Sequence, residues 1–527
     1  MMKAGCAVLA FVIVLAAGAT AAEEPKFALP TLFGDNMVFQ QDAKLPVWGT
    51  AEPGEQVTVT LADRTATATA AEDGSWAVSL DPLKAGGPHE LTVAGKKTVA
   101  IKNVMVGEVW FCSGQSNMDF KLSSAINAEK EIAESTNPDL RLGFGRWALG
   151  KEPQHDPRCT WAPSSPEKAK DYSAVAYFFG RDIQKNLGVP VGLIWVSQGW
   201  TPSEAWTSRE ALASDPEIKR DVLDRWDARM ADFPARRAEY DKKLEEWKKA
   251  GADAKAAGKE FTTREPTKPP DPDFYHRATS LYNGGVAPYT PFPIRGVIWY
   301  QGETNADRGI QYRKLFPILI ADWRKAWNQP EMPFLFVQIA NLGPPQVNPD
   351  QNDRAELREA QMLTMKTVPN TAMTVTVDIG DANDEHPKNK QDVGARLALG
   401  ARALAYGQKI VYSGPVYDSM KVEGSSIRLS FTHVGGGLVA RDGKLAGFSI
   451  AGDDRKFVWA DAKIDGGTIV VSSGKVARPA AVRYGWAMNP IISLFNKEGL
   501  PASPFRTDDW PGVTTGNIKF WIDTIAQ

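Results

Sequence analysis

Four short apolar runs, at 107–112, 191–196, 296–300 and 371–377, each lead into a polar cluster, and amphipathic helical patterns occupy the stretches between them. Strands that are apolar on both faces and alternate with helices of period 3.6 have few ways to fold. They belong in a parallel sheet covered by helices on both sides. The helical spacing predicts helices over 171–186, 310–327, 353–366 and 390–406. All strands of such a sheet point the same way, so the loops at their carboxyl ends share one edge. The four clusters carried to that edge are Trp110-Phe-Cys-Ser-Gly-Gln-Ser-Asn-Met118, Ser197-Gln-Gly-Trp-Thr-Pro-Ser-Glu-Ala-Trp206, Gly296-Val-Ile-Trp-Tyr-Gln-Gly-Glu-Thr-Asn305 and Asp378-Ile-Gly-Asp-Ala-Asn-Asp-Glu-His-Pro-Lys388.

In the first cluster Ser116 stands where a strand stops and a helix is expected, since 119–135 has helical spacing with Phe120, Leu122, Ile126 and Ile132 on one side. A serine in such a turn projects its hydroxyl above the sheet edge beside free backbone N–H groups, which suits acyl transfer. The plainer reading of Ser116 is a helix N-cap. A serine nucleophile needs a base, and near neutral pH histidine is the natural one. The chain has five histidines. His89 and His433 fall in β-type segments near the two ends, and His155 and His276 lie in polar loops. His386 alone follows a strand of the central region and precedes a helix.

Taken in order, Gly-Gln-Ser-Asn-Met (114–118), Trp-Tyr-Gln-Gly-Glu (299–303) and the His386-Pro387 segment resemble the sialate O-acetylesterase family of the SGNH hydrolases. The resemblance extends over most of the chain after residue 25, including Val482-Arg-Tyr-Gly-Trp486 and Leu500-Pro-Ala-Ser-Pro-Phe-Arg-Thr-Asp508. It implies an α/β fold with a flavodoxin-like three-layer α/β/α catalytic domain, and a serine esterase that removes O-acetyl groups from carbohydrate. It also implies an oxyanion hole built from the Gly199 N–H and the Gln301 side-chain amide, with Ser116 and His386 as nucleophile and base. SGNH hydrolases commonly place an aspartate three residues before the histidine, where this chain has Asn383. Asp384 is preferred as the orienting acid, with Asp381 as the alternative and a Ser–His dyad as the third possibility. Gln115, Glu303 and Asn305 are supporting candidates, with Glu303 and Asn305 bracing their loop by hydrogen bonds. No His/Cys set has metal-ligand spacing, so neither metal nor cofactor is expected. The competing readings are a noncatalytic glycan-binding protein on the same scaffold and a general carboxylesterase.

At 527 residues the chain needs several domains. Residues 1–22 read as a secretory signal peptide, with Lys3 ahead of the apolar run 7–17, which predicts an exported, periplasmic or extracellular protein. Alternating β-type segments predict an N-terminal β-sandwich domain over 23–103 and a C-terminal β-rich domain over 411–527, flanking the catalytic domain at 104–410. A charged stretch at about 211–270 reads as an exposed helical insertion. With 61 basic and 63 acidic residues the net charge is −2, so no global field recruits nucleic acid, and no run after the leader is long enough to span a membrane. The partner expected is an acetylated carbohydrate; oligomeric state is not legible. Cys112 and Cys159 either pair or sit as core thiols, the latter being preferred, and Trp200, Trp206 and Trp299 flank the motifs as candidates for a sugar subsite.

Overall fold

A computed structural model describes residues 27–520 except Pro270, Pro272, Asp273 and Asp350. The leader at 1–22 lies outside the described residues. Among the described residues no helix is long and apolar enough to cross a membrane.

The central sheet contains β1 (Thr98–Gly114), β2 (Asn137–Arg146), β3 (Arg158–Ser164), β4 (Val191–Ser197), β5 (Gly296–Tyr300), β6 (Phe334–Val337) and β7 (Thr371–Thr374), in the order β7-β6-β5-β1-β4-β2-β3. Every neighbouring pair is parallel except β2 with β3. Four helices cover it: α1 (Ala174–Leu187), α2 (Gly309–Ala326), α3 (Asp353–Thr367) and α4 (Lys390–Leu404). Alternation along β1 shows how both faces are filled. Trp110 and Cys112 join Phe178 and Phe179 of α1 and Val393 and Leu397 of α4 in one apolar cluster. Phe111 points the other way, to Phe316 and Trp323 of α2 and Leu357 and Ala360 of α3. The result is a three-layer α/β/α sandwich. Side-chain caps set the helix starts: Ser173 Oγ accepts from Ala176 N at 3.2 Å, Asn352 Oδ1 from Ala355 N at 3.2 Å and Asn389 Oδ1 from Asp392 N at 3.2 Å.

β1 serves two sheets. Its first half pairs antiparallel with Gly86–Ala94 in an N-terminal β structure, and its second half lies between β4 and β5. Gln56–Leu61 joins the same N-terminal sheet, while Leu45–Thr50 pairs with Ser75–Leu80 across a core that includes Val47, Val57, Val59, Trp76 and Val78. At the other end, two four-stranded antiparallel sheets form a second β unit, one containing Val416–Glu423 and Ser426–Thr432, the other Phe448–Ala451 and Ala481–Tyr484.

Two expectations change. The helix expected over 119–135 is broken into Ser116–Asp119, a single turn at Leu122–Ser124 and Ala128–Ala133. The intervening backbone finds tertiary partners: Leu122 N donates to Tyr172 O and Phe120 O accepts from Ala174 N, at 3.0 and 2.8 Å. Within the charged insertion, Leu212, Ile218, Val222 and Trp226 pack into a small core with Leu315 and Phe520, whereas the helix Phe233–Ala256 buries no side chain. Both cysteines are free and buried; Cys112 and Cys159 belong to apolar clusters on opposite faces of the sheet.

Candidate active site

Register brings three of the polar clusters level. Gly114 at the end of β1 stands opposite Ser197 of β4 and Tyr300 of β5. Gly114 has φ 145°, and a Cβ there would lie 2.1 Å from the Tyr300 carbonyl oxygen. Only glycine lets β1 turn so tightly against β5. The chain then delivers Ser116 to the first position of a four-residue helix, half-buried, with Met118 N and Asp119 N bonded to Gln115 O. Gly199, two residues beyond β4, sits directly over it: a Cβ on Gly199 would be 3.4 Å from Ser116 Cβ.

The fourth cluster reaches the same place from the far side. Asn117 Nδ2 donates to the backbone oxygen of Glu385 at 2.9 Å, tying the residue after Ser116 to the residue before His386. His386 Nδ1 lies 3.2 Å from Asp384 Oδ1, and the same oxygen accepts from His386 N at 2.8 Å. The Nε2 atom is enclosed and has no hydrogen-bond partner among the described residues. With Nδ1 facing a carboxylate, Nε2 is left as the proton acceptor. Asp381 is exposed and caps its own turn, accepting from Asn383 N at 2.8 Å.

Beneath Asn117 lies a charged pair that the motifs did not single out. Lys390 Nζ donates to Asn117 Oδ1 at 2.5 Å, and Asn117 Nδ2 also donates to Glu303 Oε1 at 2.8 Å. Lys390 and Glu303 are thus joined through one amide. Burial pushes Lys390 down to about 7 against the opposing pull of Glu303 and Asp384, and burial likewise raises Glu303. Lys390 also stands over the rings of Phe120 and Tyr300, at 4.7 and 5.4 Å. Its position four residues after His386, at the start of α4, was the available signal.

Gln301 differs from its expected role as an oxyanion donor. Its Nε2 donates to Thr201 O at 3.1 Å and to Asn305 Oδ1 at 2.7 Å, while Tyr312 OH donates to its Oε1 at 2.9 Å. Thr201 O can only accept, so the amide nitrogen must face it. Both hydrogens are committed and the side chain is fully buried. Gln301 therefore braces two loops. The brace continues through Asn305 Oδ1, which accepts from Ser203 N at 2.9 Å, and Asn305 Nδ2, which donates to Glu204 Oε2 at 3.0 Å; Arg308 Nη2 closes it on Glu204 Oε1 at 2.8 Å. Gln115 performs the same service, its Oε1 accepting from Gly302 N at 3.3 Å.

Asp119, one turn after Ser116, accepts from the Ser197 hydroxyl, and Gly199 N–H also points to its carboxylate. Burial pushes Asp119 up to about 6, and these two donors partly oppose it. Trp200, next in the turn, has φ 62°, a left-handed conformation that costs a bulky residue about 1–2 kcal/mol. Its backbone is hydrogen-bonded by the buried ring of His276, which burial pushes down to about 4, against the Glu204 charge and this bond. Of the three tryptophans beside the motifs, Trp206 and Trp299 are fully buried, whereas Trp200 is 53% exposed.

A parallel sheet in an α/β/α sandwich, with these clusters gathered at its carboxyl edge, is the architecture that the resemblance to the SGNH hydrolases implied. The sequence model of the family described as "Carbohydrate esterase, sialic acid-specific acetylesterase" matches residues 267–403. A carbohydrate acetylesterase from Xanthomonas citri, of known crystal structure, is 34% identical, covers 92% of this chain and 100% of its own, and superposes with a TM-score of 0.77. The sialate O-acetylesterase of Rattus norvegicus is 29% identical over 91% of this chain and 94% of its own length, and that of Homo sapiens 28% over 94% and 95%. The chain belongs to the sialic acid-specific acetylesterase family of carbohydrate esterases. It is a carbohydrate O-acetylesterase.

Proposed function

We propose that the enzyme hydrolyses O-acetyl esters of a sialate or plant-type carbohydrate in two steps, through an acetyl group carried on Ser116. His386 Nε2 takes the Ser116 proton as the hydroxyl attacks the ester carbonyl, and Asp384 holds the ring and stabilises the imidazolium. The oxyanion is held by the N–H of Ser116, which has no acceptor among the described residues, and by that of Gly199 once it turns from Asp119. His386 then returns the proton to the departing sugar oxygen, and a water activated by the same nitrogen releases acetate. Gln115, Gln301, Glu303 and Asn305 keep the loops in register.

The observation that carries this reading is the Asn117–Glu385 bond, because it holds the serine turn against a histidine loop whose Nε2 is enclosed and unpartnered. Acetate release from acetylated oligosaccharides by Ser116→Ala should fall by at least about 10³-fold. Activity at the parent level in that variant removes the nucleophile. A parent enzyme that binds the sugar without turning it over would favour the glycan-binding alternative.

A further inference from the structure

Lys390 sits where a lysine is disfavoured on two counts. It is the first residue of α4, where the helix dipole favours negative charge, and it is fully buried. Its ammonium donates to Asn117 Oδ1 and faces the rings of Phe120 and Tyr300. The Glu303 carboxylate lies on the other side of the same amide, accepting from Asn117 Nδ2. A buried lysine and glutamate that served only to neutralise each other would meet directly. Here an amide is interposed, so their attraction closes on Asn117 from both sides.

Asn117 is what joins the two halves of the site. His386 belongs to the stretch 375–389 between β7 and α4, which forms neither strand nor helix, so no ladder fixes the imidazole relative to Ser116. Other bonds tie this stretch to its surroundings: Arg354 of α3 donates to the Glu385 carboxylate at 3.2 Å, and Ile126 N to Lys388 O at 3.0 Å. The tie to the serine turn is Asn117 Nδ2 on Glu385 O, at 2.9 Å. That carbonyl can only accept, so the amide nitrogen must face it and Oδ1 must face Lys390. Turned over, the amide would set oxygen against oxygen. We propose that Lys390 is a positioning residue of this esterase: with Glu303 opposite, it locks the Asn117 amide in the orientation that ties the His386 loop to the Ser116 turn. The proposal rests on the Ser116–His386 reading above. Without the lock the amide can turn and the two reacting side chains drift, and a misplacement of about 1 Å costs on the order of 10²-fold in rate.

Lys390→Met keeps an unbranched apolar stem and deletes the donor and the charge. Its kcat on p-nitrophenyl acetate and on acetylated xylo-oligosaccharides should fall by at least about 10²-fold, with KM within about threefold of the parent's. Because Lys390 acts through Asn117, Lys390→Met/Asn117→Ala should stay within about threefold of Asn117→Ala alone. Lys390→Met/Glu303→Gln, which removes both buried charges, should bring Tm back near the parent's while kcat stays low. This last variant also supplies the rate if Lys390→Met alone does not fold. A parent-like kcat in any folded variant lacking Lys390 overturns the proposal, as do losses that multiply in the variant with Asn117→Ala, or a loss confined to KM. Recovery of kcat together with Tm in Lys390→Met/Glu303→Gln also overturns it, since Lys390 is then only a counter-charge, and so does failure of both these variants to fold. Ser116→Ala, assayed beside them, keeps the two readings apart. Full activity there removes the nucleophile, whereas an inactive Ser116→Ala beside a parent-like Lys390→Met removes the lock alone.

Discussion

At the scale of single residues, two titrating groups, the half-buried Asp119 near the serine and the buried His276 behind the Trp200 turn, act on stability in opposite senses. Asp119 has its ordinary value of 3.8 in the unfolded chain and about 6 when folded, so the folded state holds that proton more tightly and stability declines as pH rises from about 4 to 6. His276 goes from 6.5 unfolded to about 4 folded, so the unfolded chain binds the extra proton and stability declines as pH falls through the same window. The two slopes offset each other. Asp119→Asn, which can still accept from Ser197 and Gly199, should therefore be more stable than the parent at pH 7. It should also lose stability more steeply from pH 6.5 to 4, by on the order of 1–2 kcal/mol. Urea denaturation across that range measures it, and parallel curves would count against the assignment. Ser116, His386 and Asp384 could be singled out as candidates in the sequence because a nucleophile, a base and an orienting acid are expected as particular side chains at strand ends. Asn117, Asp119 and Lys390 were not, since their significance lies in whom they touch: Glu385, Ser197 and Asn117 respectively.

At the scale of elements, the site depends on how closely β1 and β5 approach. A methyl group at Gly114 would meet the oxygen, carbon and nitrogen of Tyr300 at 2.1, 2.7 and 2.9 Å, all backbone atoms that cannot step aside. Gly114→Ala should thus move the Ser116 turn, lowering kcat by at least about 10²-fold with a loss of several degrees in Tm. A crystal structure or a rate close to the parent's would show that the strand end is softer than this contact implies. Helices α1 to α4 were readable within a few residues from period and caps. The broken segment after Ser116 was not, because Leu122 and Phe120 exchange helical hydrogen bonds for partners in the 170–174 loop, and apolar spacing carries no record of that competition.

At the scale of the whole molecule, one helix carries several of the bonds that tie the C-terminal β unit to the central layers. Arg358 of α3 is fully buried and donates to the carbonyls of Ile339, Ala340, Ala487 and Met488, at 3.0, 2.7, 2.6 and 2.9 Å. Glu359 bonds Arg506 at 2.8 Å, and Glu356 accepts from Thr514 N at 3.0 Å. Ending the chain at residue 410 would strip partners from all three. Orphaning a buried charge costs about 3–5 kcal/mol, against about 5–15 kcal/mol for the stability of a whole domain. The shortened chain should fail to accumulate as a soluble, active protein; a monodisperse fragment with parent activity on p-nitrophenyl acetate would refute the dependence.

By itself the sequence determined the alternation of strands and helices, the parallel sheet, and the four clusters at its edge, because hydrophobic period, caps and turn residues act over a few positions of chain. Tertiary structure alone decided that β1 is shared by two sheets, that the Gln301 amide is committed to bracing two loops, and that Trp200 sits half-exposed on a left-handed turn. Those outcomes come from burial and from competition for hydrogen-bond partners, which join residues as far apart as Gln301 and Thr201 or Arg358 and Met488 and leave no periodic trace along the chain.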